Sequence, residues 1–281
     1  MLNLQSVDAL IDLAFAEDIG IGDITTESTV PPLQKGKGTL VAKSAGIIAG
    51  LPVAERTFKR FDTSLVFKSI VTDGEAVKAG DSIASVQGSA KSILIVERTA
   101  LNFLQRLSGV ATLTSEYVAA VADYDVRIVD TRKTTPGWRA LQKYAVRVGG
   151  GNNHRFGLYD GILIKDNHIV AAGGIGTAVK SARLAAPHTS KVEVEVETIE
   201  QLNEAIDAKA DIVLLDNMSP STMTQAVKLV NKCALTEASG GITLEQVRTV
   251  AATGVDLISI GALTHSAMPM DISLNLTLVE E

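Results

Sequence analysis

"VEVEVETIEQLNEAIDAKADIVLLDN", residues 192–217, decides the architecture. It opens on strict alternation of valine and glutamate, which suits a strand because side chains two apart share a face. It closes on a second strand-like run, "DIVLLD" (211–216), and "TIEQLNEAIDAKA" between them reads as a helix. The same alternation continues on both sides. Strand-like runs stand at "VRIVD" (126–130), "GILIKD" (161–166), "CALTEAS" (233–239) and "DLISIG" (256–261). "GTAVKSARLAA", "SPSTMTQAVKLVNK" and "TLEQVRTVAATG" supply helices between most of them. Alternating βα units predict a parallel sheet, and a count short of eight predicts an incomplete α/β barrel of TIM type.

Upstream the pattern changes. An initial helix is predicted from Val7, Leu10, Ile11 and Ala14, with Ser6 as its N-cap, and "EDIGIGDITTE" ends it. Within residues 37–95, "GTLVAKS", "GIIAG", "LVFKSIV", "DSIASVQG" and "SILIV" read as short strands, interrupted by one helix, "PVAERTFKRF". "DGEAVKAGDSIASVQG" resembles the hammerhead of lipoyl and biotinyl carriers. Lys78 lies in the "VKAGD" turn and not at a hairpin tip, so the likeness is one of scaffold. A long helix is predicted from Val96 to Ala122, with a stripe of Leu101, Leu104, Leu107 and Val110 and a weak point at Gly109.

Composition narrows the function. The 281 residues are 46% hydrophobic and 21% charged, with a formal charge of −6, which argues against a general nucleic-acid binder. Cys233 is the only cysteine, so an internal disulfide and a thiolate metal cluster are excluded. The first twenty residues carry acids and no basic n-region, and no apolar run approaches the ~18 residues of a membrane span. A cytoplasmic setting is expected.

In a βα barrel the chemistry sits at the carboxyl ends of the strands. Here those ends carry Thr131-Arg132-Lys133, Lys165-Asp166-Asn167-His168, Glu195, Asp216-Asn217, Ser239-Gly240-Gly241 and Gly261. From Thr131 to His168 there are seven Lys/Arg against two Asp, a positive basin on an acidic chain, suited to a small polyanion. Arg132 and Arg155 can grip carboxylates in bidentate fashion, and Lys133 and Lys165 serve as point charges. Arg139, Lys143 and Arg147, spaced by four, read as a solvated helix face. His154 precedes a strand beside Arg155 and reads as functional; His168 reads as ordering a loop. Glu195 and Asp216 can bind Mg²⁺, hold sugar hydroxyls or move protons. Glu193, Glu195 and Glu197 share a face, so at least one is expected in a structural ion pair. "EASGG" and "SIGALTHS" offer backbone N–H groups to a phosphate.

"DTRKTTPGWRALQKYAVRVGGGNNHRFGLYDGILIKDNH", with "EVEVE", "LLDN", "EASGG", "GALTHS", "EDIGIGDITTE" and "ERTALNFLQRLSG", closely resembles the quinolinate phosphoribosyltransferase family. The resemblance implies an N-terminal α/β sandwich over 1–108, an open α/β barrel over 109–267, and a tail, 268–281, packing back on the first domain. It implies a homodimer, or a hexamer as a trimer of dimers, with Arg98 reaching a partner's site. By resemblance Thr131, Arg132, His154 and Arg155 hold the quinolinate carboxylates. Lys133 and Lys165 stand between quinolinate and phosphoribosyl pyrophosphate. Glu195 and Asp216 hold ribose hydroxyls and Mg²⁺. Ser239, Gly240, Gly241, Gly261, Ala262 and Leu263 hold the 5′-phosphate, with His265 nearby. The expected reaction yields nicotinate mononucleotide, pyrophosphate and CO₂. Rival readings are a related phosphoribosyltransferase, such as the molybdenum-transport-associated homologue, and a Schiff-base lyase using Lys165.

Overall fold

The computed structural model describes residues 5–279. In chain order its first elements are α1 (Gln5–Asp18), α2 (Ile24–Thr29), β1 (Lys35–Ala42), β2 (Gly46–Ile47), α3 (Leu51–Phe61), β3 (Val66–Ser69), β4 (Ala76–Val77), β5 (Ser82–Ser89) and α4 (Ala90–Ala120). Then come β6 (Arg127–Val129), α5 (Arg139–Val148), β7 (Ile162–Ile164), α6 (Asp166–Ala172), α7 (Ile175–Ala185), β8 (Val192–Val196) and α8 (Ile199–Asp207). The last are β9 (Ile212–Asp216), α9 (Pro220–Val230), β10 (Leu235–Ser239), α10 (Leu244–Ala251), β11 (Leu257–Ser259), α11 (Ala262–His265) and β12 (Ile272–Leu278). Two compact units share them. One holds residues up to Leu113, Pro136–Gly149 and the segment from Ala267; the other holds Thr114–Thr135 and Gly150–Ser266.

The first unit is an antiparallel sheet, β12-β1-β5-β3, packed against helices. In β1 every second residue is buried, from Gly36 to Ala42, so one face meets the core. That core joins Leu40, Ile83, Val86 and Phe67 of the sheet to Leu51, Ala54 and Phe58 of α3 and to Ile93, Val96, Ala100 and Leu104 of α4. The Asp73 carboxylate caps α3, accepting the N–H groups of Gly50 at 2.7 Å and Leu51 at 3.0 Å. Arg56 of α3 grips Asp8 of α1 through two bonds, 2.8 and 2.7 Å. Gly109 is required: a Cβ there would lie 2.0 Å from the Met268 carbonyl oxygen. The side chain of Ser6, expected to cap the first helix, lies outside the described residues.

Two expectations fail in this unit. "SILIV" (92–96) is helix, and α4 begins at Ala90. Ile93, Val96, Ala100, Leu104 and Leu107 are buried at helical spacing, and so short an apolar run satisfies either period. Lys143 is not on a solvated face; it is 0% exposed, while Arg147 is exposed and Arg139 half-buried. Spacing by four gives a common face without saying which way it points, and α5 also buries Leu141, Gln142, Ala145 and Val146.

The second unit is a parallel sheet in the order β6-β11-β10-β9-β8-β7, its strands linked largely by helices. Each of the six runs expected to be a strand contains one. Beside β6, Asn152 makes a parallel bridge to Val129, yet β7 pairs only with β8 among the described residues. The barrel is therefore open between the Asn152 segment and β7. Four of the five residues of β8 are buried, as expected for a strand covered on both faces. Among the described residues, no helix is long and apolar enough to cross a membrane.

Candidate active site

Parallel strands present all their carboxyl ends at one edge, and in the second unit those ends enclose a cavity of about 540 Å³. Each strand contributes. Thr131, Arg132 and Lys133 follow β6, Lys165 follows β7, Glu195 lies in β8, and Asp216 with Asn217 closes β9. Ser239, Gly240 and Gly241 follow from β10, and Ser259 ends β11. His154 and Arg155 enter from the loop before β7.

Local bonding fixes these groups. Asp130, 0% exposed, accepts the Asn153 Nδ2 amide at 2.6 Å and the His154 N–H at 2.9 Å, holding the loop against the end of β6. The His154 Nδ1 accepts the Arg155 N–H at 2.7 Å, and its Nε2 stands 3.1 Å from Glu193 Oε2 and 3.7 Å from Glu237 Oε2. Arg155 Nη1 donates to the Gly161 carbonyl at 3.0 Å, and Asp160 accepts the Phe156 and Gly157 N–H groups, closing the loop around it. Lys165 Nζ meets Glu195 Oε2 at 2.5 Å, and the Lys165 N–H donates to His168 Nδ1, so His168 orders the start of α6 as expected.

The loops after β10 and β11 are glycine-rich, and at Gly240 a side chain would not fit. Gly240 has φ +109°, and a Cβ there would lie 2.2 Å from Asn217 Oδ1. A Cβ on Gly261 would meet His265 Nε2 at 3.1 Å and Lys133 Cδ at 3.2 Å, which places those two side chains around it. Thr264 Oγ1 donates to the Lys133 carbonyl at 2.8 Å, tying α11 to the loop after β6. Leu263 is fully buried and Ala262 opens α11; neither of them, nor Gly261 or His265, is among the residues that line the cavity.

The charge pattern asks for an anion. Arg132, Lys133, Arg155 and Lys165 face Glu195, Asp216 and Glu237. Burial first, and the Arg132 guanidinium second, push Arg155 below the ordinary arginine range, while Glu193 and Asp160 oppose this. An anion seated against both guanidiniums would relieve that strain on the charged form. The carboxylate oxygens of Glu195 and Asp216, on neighbouring strands, are hard donors of the kind that magnesium takes.

The cavity thus gathers Thr131, Arg132, Lys133, His154, Arg155, Lys165, Glu195, Asp216, Ser239, Gly240 and Gly241. Arg98 is exposed on α4 in the first unit. Of the three alternating glutamates, Glu193 is buried against His154, Glu195 lines the cavity and Glu197 is exposed. Sequence reading missed Asp130 and Glu237. The signal for Glu237 was present: it lies two residues before Ser239 in a strand, so both share a face.

Comparison with known proteins bears on the family. The family model described as "Quinolinate phosphoribosyl transferase, N-terminal domain" matches residues 23–108, and its C-terminal counterpart matches 110–275. A Bacillus subtilis protein named "Probable nicotinate-nucleotide pyrophosphorylase [carboxylating]" is 49% identical, the alignment covering 100% of this chain and 96% of that one. A Nicotiana tabacum quinolinate phosphoribosyltransferase [decarboxylating] is 44% identical over 95% of this chain and 81% of its own. The crystal structure of NadC from Streptococcus pyogenes superposes with a TM-score of 0.96 at 42% identity, covering 100% and 99% of the two chains. With both of its domains matched and a strand-end cavity of this composition, the chain belongs to the quinolinate phosphoribosyltransferase family.

Proposed function

We propose that the chain transfers the phosphoribosyl group of phosphoribosyl pyrophosphate to quinolinate with decarboxylation, giving nicotinate mononucleotide, pyrophosphate and CO₂. The observation that carries this is the pairing of Arg132 with a part-buried Arg155 in one cavity, a receptor for a compact dicarboxylate. Thr131 completes the grip, and His154 belongs to it by holding the Arg155 main chain.

Ring nitrogen displaces pyrophosphate at the anomeric carbon through a cationic state. Glu195 and Asp216, across from the bases, stabilise that cation and orient the ribose hydroxyls. Lys133 and Lys165 offset the charge of the departing pyrophosphate. Once the ring nitrogen is quaternary it accepts the electrons left by CO₂, and the carbon takes up a proton. Glu195 and Asp216 would hold Mg²⁺, which supplies charge neutralisation for the pyrophosphate. Gly240, Gly241 and Ser239, with the backbone of Gly261, Ala262 and Leu263 and the His265 ring nearby, receive the 5′-phosphate.

We further assign a homodimer, or a trimer of such dimers, in which exposed Arg98 enters the partner's cavity, with residues 1–108 as the capping domain. A reducing cytoplasm suits a chain whose single cysteine, Cys233, is a free thiol. A Schiff-base lyase is disfavoured because the Lys165 amine is engaged by Glu195 at 2.5 Å and is not free to attack a carbonyl.

The test is release of pyrophosphate and CO₂ from quinolinate, phosphoribosyl pyrophosphate and Mg²⁺. Arg132→Ala and Arg155→Ala are each expected to raise the quinolinate KM by about 10²-fold, as loss of a charge-assisted bidentate contact implies, with the fold intact. Preference for another acid in competition, or unaltered saturation by quinolinate in both variants, would refute the reading.

A further inference from the structure

At the wall of the cavity, His154 meets two glutamates to which the transfer reaction gives no role. Glu193 is 4% exposed and Glu237 1% exposed, and each carries an Oε1 that is buried without a hydrogen-bond partner. Both approach the same atom, His154 Nε2, at 3.1 and 3.7 Å. The other ring nitrogen, Nδ1, accepts the Arg155 N–H at 2.7 Å. An acceptor nitrogen carries no proton, so the ring proton sits on Nε2 and is donated to Glu193.

A neutral imidazole cannot balance two buried carboxylates. Ionising both at this depth would set like charges together away from water, the arrangement in which one member keeps a proton. We propose that Glu193 and Glu237 form a carboxylate–carboxylic acid pair that fixes His154 in its Nε2–H form and through it sets Arg155, and that loss of the proton on Glu237 weakens binding of the dicarboxylate substrate. Glu237 borders the cavity, so a second negative charge there would oppose an incoming anion through space.

The groups around Glu237 support this assignment. Glu193 faces it from β8, His154 from the loop before β7, and the Ser259 hydroxyl from β11. Burial, and next the Glu193 charge, push Glu237 up to about 7, while His154 and Ser259 act in the opposite sense. Arg132 and Arg155 lie among the cavity's other charges. A divalent cation is the competing occupant, because ligand atoms of His154, Glu193 and Glu237 lie within 4.8 Å of one another. It would need a bare Nε2, whereas the Nδ1 contact with Arg155 puts the proton there.

The substrate half of the proposal rests on the transferase reading, so two readouts are combined on wild type and Glu237→Gln. Calorimetry should show the quinolinate Kd of the wild type rising about tenfold from pH 6 to pH 8, and that of Glu237→Gln staying flat. Infrared difference spectra of the unliganded wild type should show a protonated carboxyl band at pH 6 that is gone at pH 8 and absent from the variant. The spectrum needs no substrate. If quinolinate failed to bind at any pH, the transferase reading would fall while the band still judged the acid pair. If the variant failed to fold, the wild-type band alone would decide. An equal pH slope in both proteins, a band that survives Glu237→Gln, no band at pH 6, or a stoichiometric divalent ion released by the variant would each overturn the proposal.

Discussion

Gly240 shows how single residues hold this site. Its φ of +109° is disfavoured for any side chain, and a Cβ would strike Asn217 Oδ1 at 2.2 Å. Asn217, itself at φ +53°, donates its amide to Asp216 at 2.8 Å, so displacing it unsettles a carboxylate of the cavity. Gly240→Ala is expected to lose about 1–3 kcal/mol of stability in urea unfolding, and more than tenfold in kcat/KM for phosphoribosyl pyrophosphate. Gly241→Ala is the control: φ is +61° but nothing lies within 4 Å, so backbone strain alone remains. Equal losses in the two variants would remove Asn217 from the argument. At this scale the sequence was legible where a residue ends a strand, as with Lys165, Glu195 and Asp216. It was opaque where pairing decides the meaning. Glu237 reads as an ordinary polar residue in "LTEAS" until β8 and the His154 loop are laid beside it.

Among the elements, α3 depends on a residue outside itself. Asp73 accepts the first N–H groups of the helix and the Tyr144 hydroxyl of α5 at 2.6 Å. Burial, and then the bond to Asp73, drive the Tyr144 phenol far above its ordinary value, so it remains a donor throughout the working pH range. Asp73→Ala should cost about 2–3 kcal/mol, having removed a cap and orphaned a part-buried hydroxyl, against about 1 kcal/mol for Tyr144→Phe. Thermal unfolding of both variants checks this, and equal shifts would deny the capping role. No local pattern announces Asp73, because a cap supplied from another loop leaves no spacing in the helix it serves. The opposite error befell "SILIV", whose apolar content was read correctly and its period wrongly. Trp138, just before α5, is held by packing: its ring stacks on Phe103 with centroids 4.9 Å apart.

For the molecule as a whole, the proposed composite site carries the strongest expectation. Arg98→Ala and Lys165→Ala homo-oligomers should each be nearly inactive. Mixed after dissociation and reassociation, they should regain a measurable fraction, since one cavity in a hetero-dimer escapes both lesions. Absence of recovery in verified hetero-oligomers would refute the shared site. The alternation of strands and helices was readable from the chain because every βα unit repeats one local rule. In the first sheet β1, β3 and β5 were readable too, but the sheet's edge is completed from far away, and only the family resemblance brought the tail there: Gly36 is matched with Leu278, and Ala42 with Ile272. That pairing bears on how the protein is made. A nascent chain leaving the ribosome has β1 before any barrel strand, but its partner on that side emerges only after all of them. Until then the edge of β1 is bare, and the early half must wait, exposed to chaperones or to misjoining with a neighbour's strand, while the later half is already able to close.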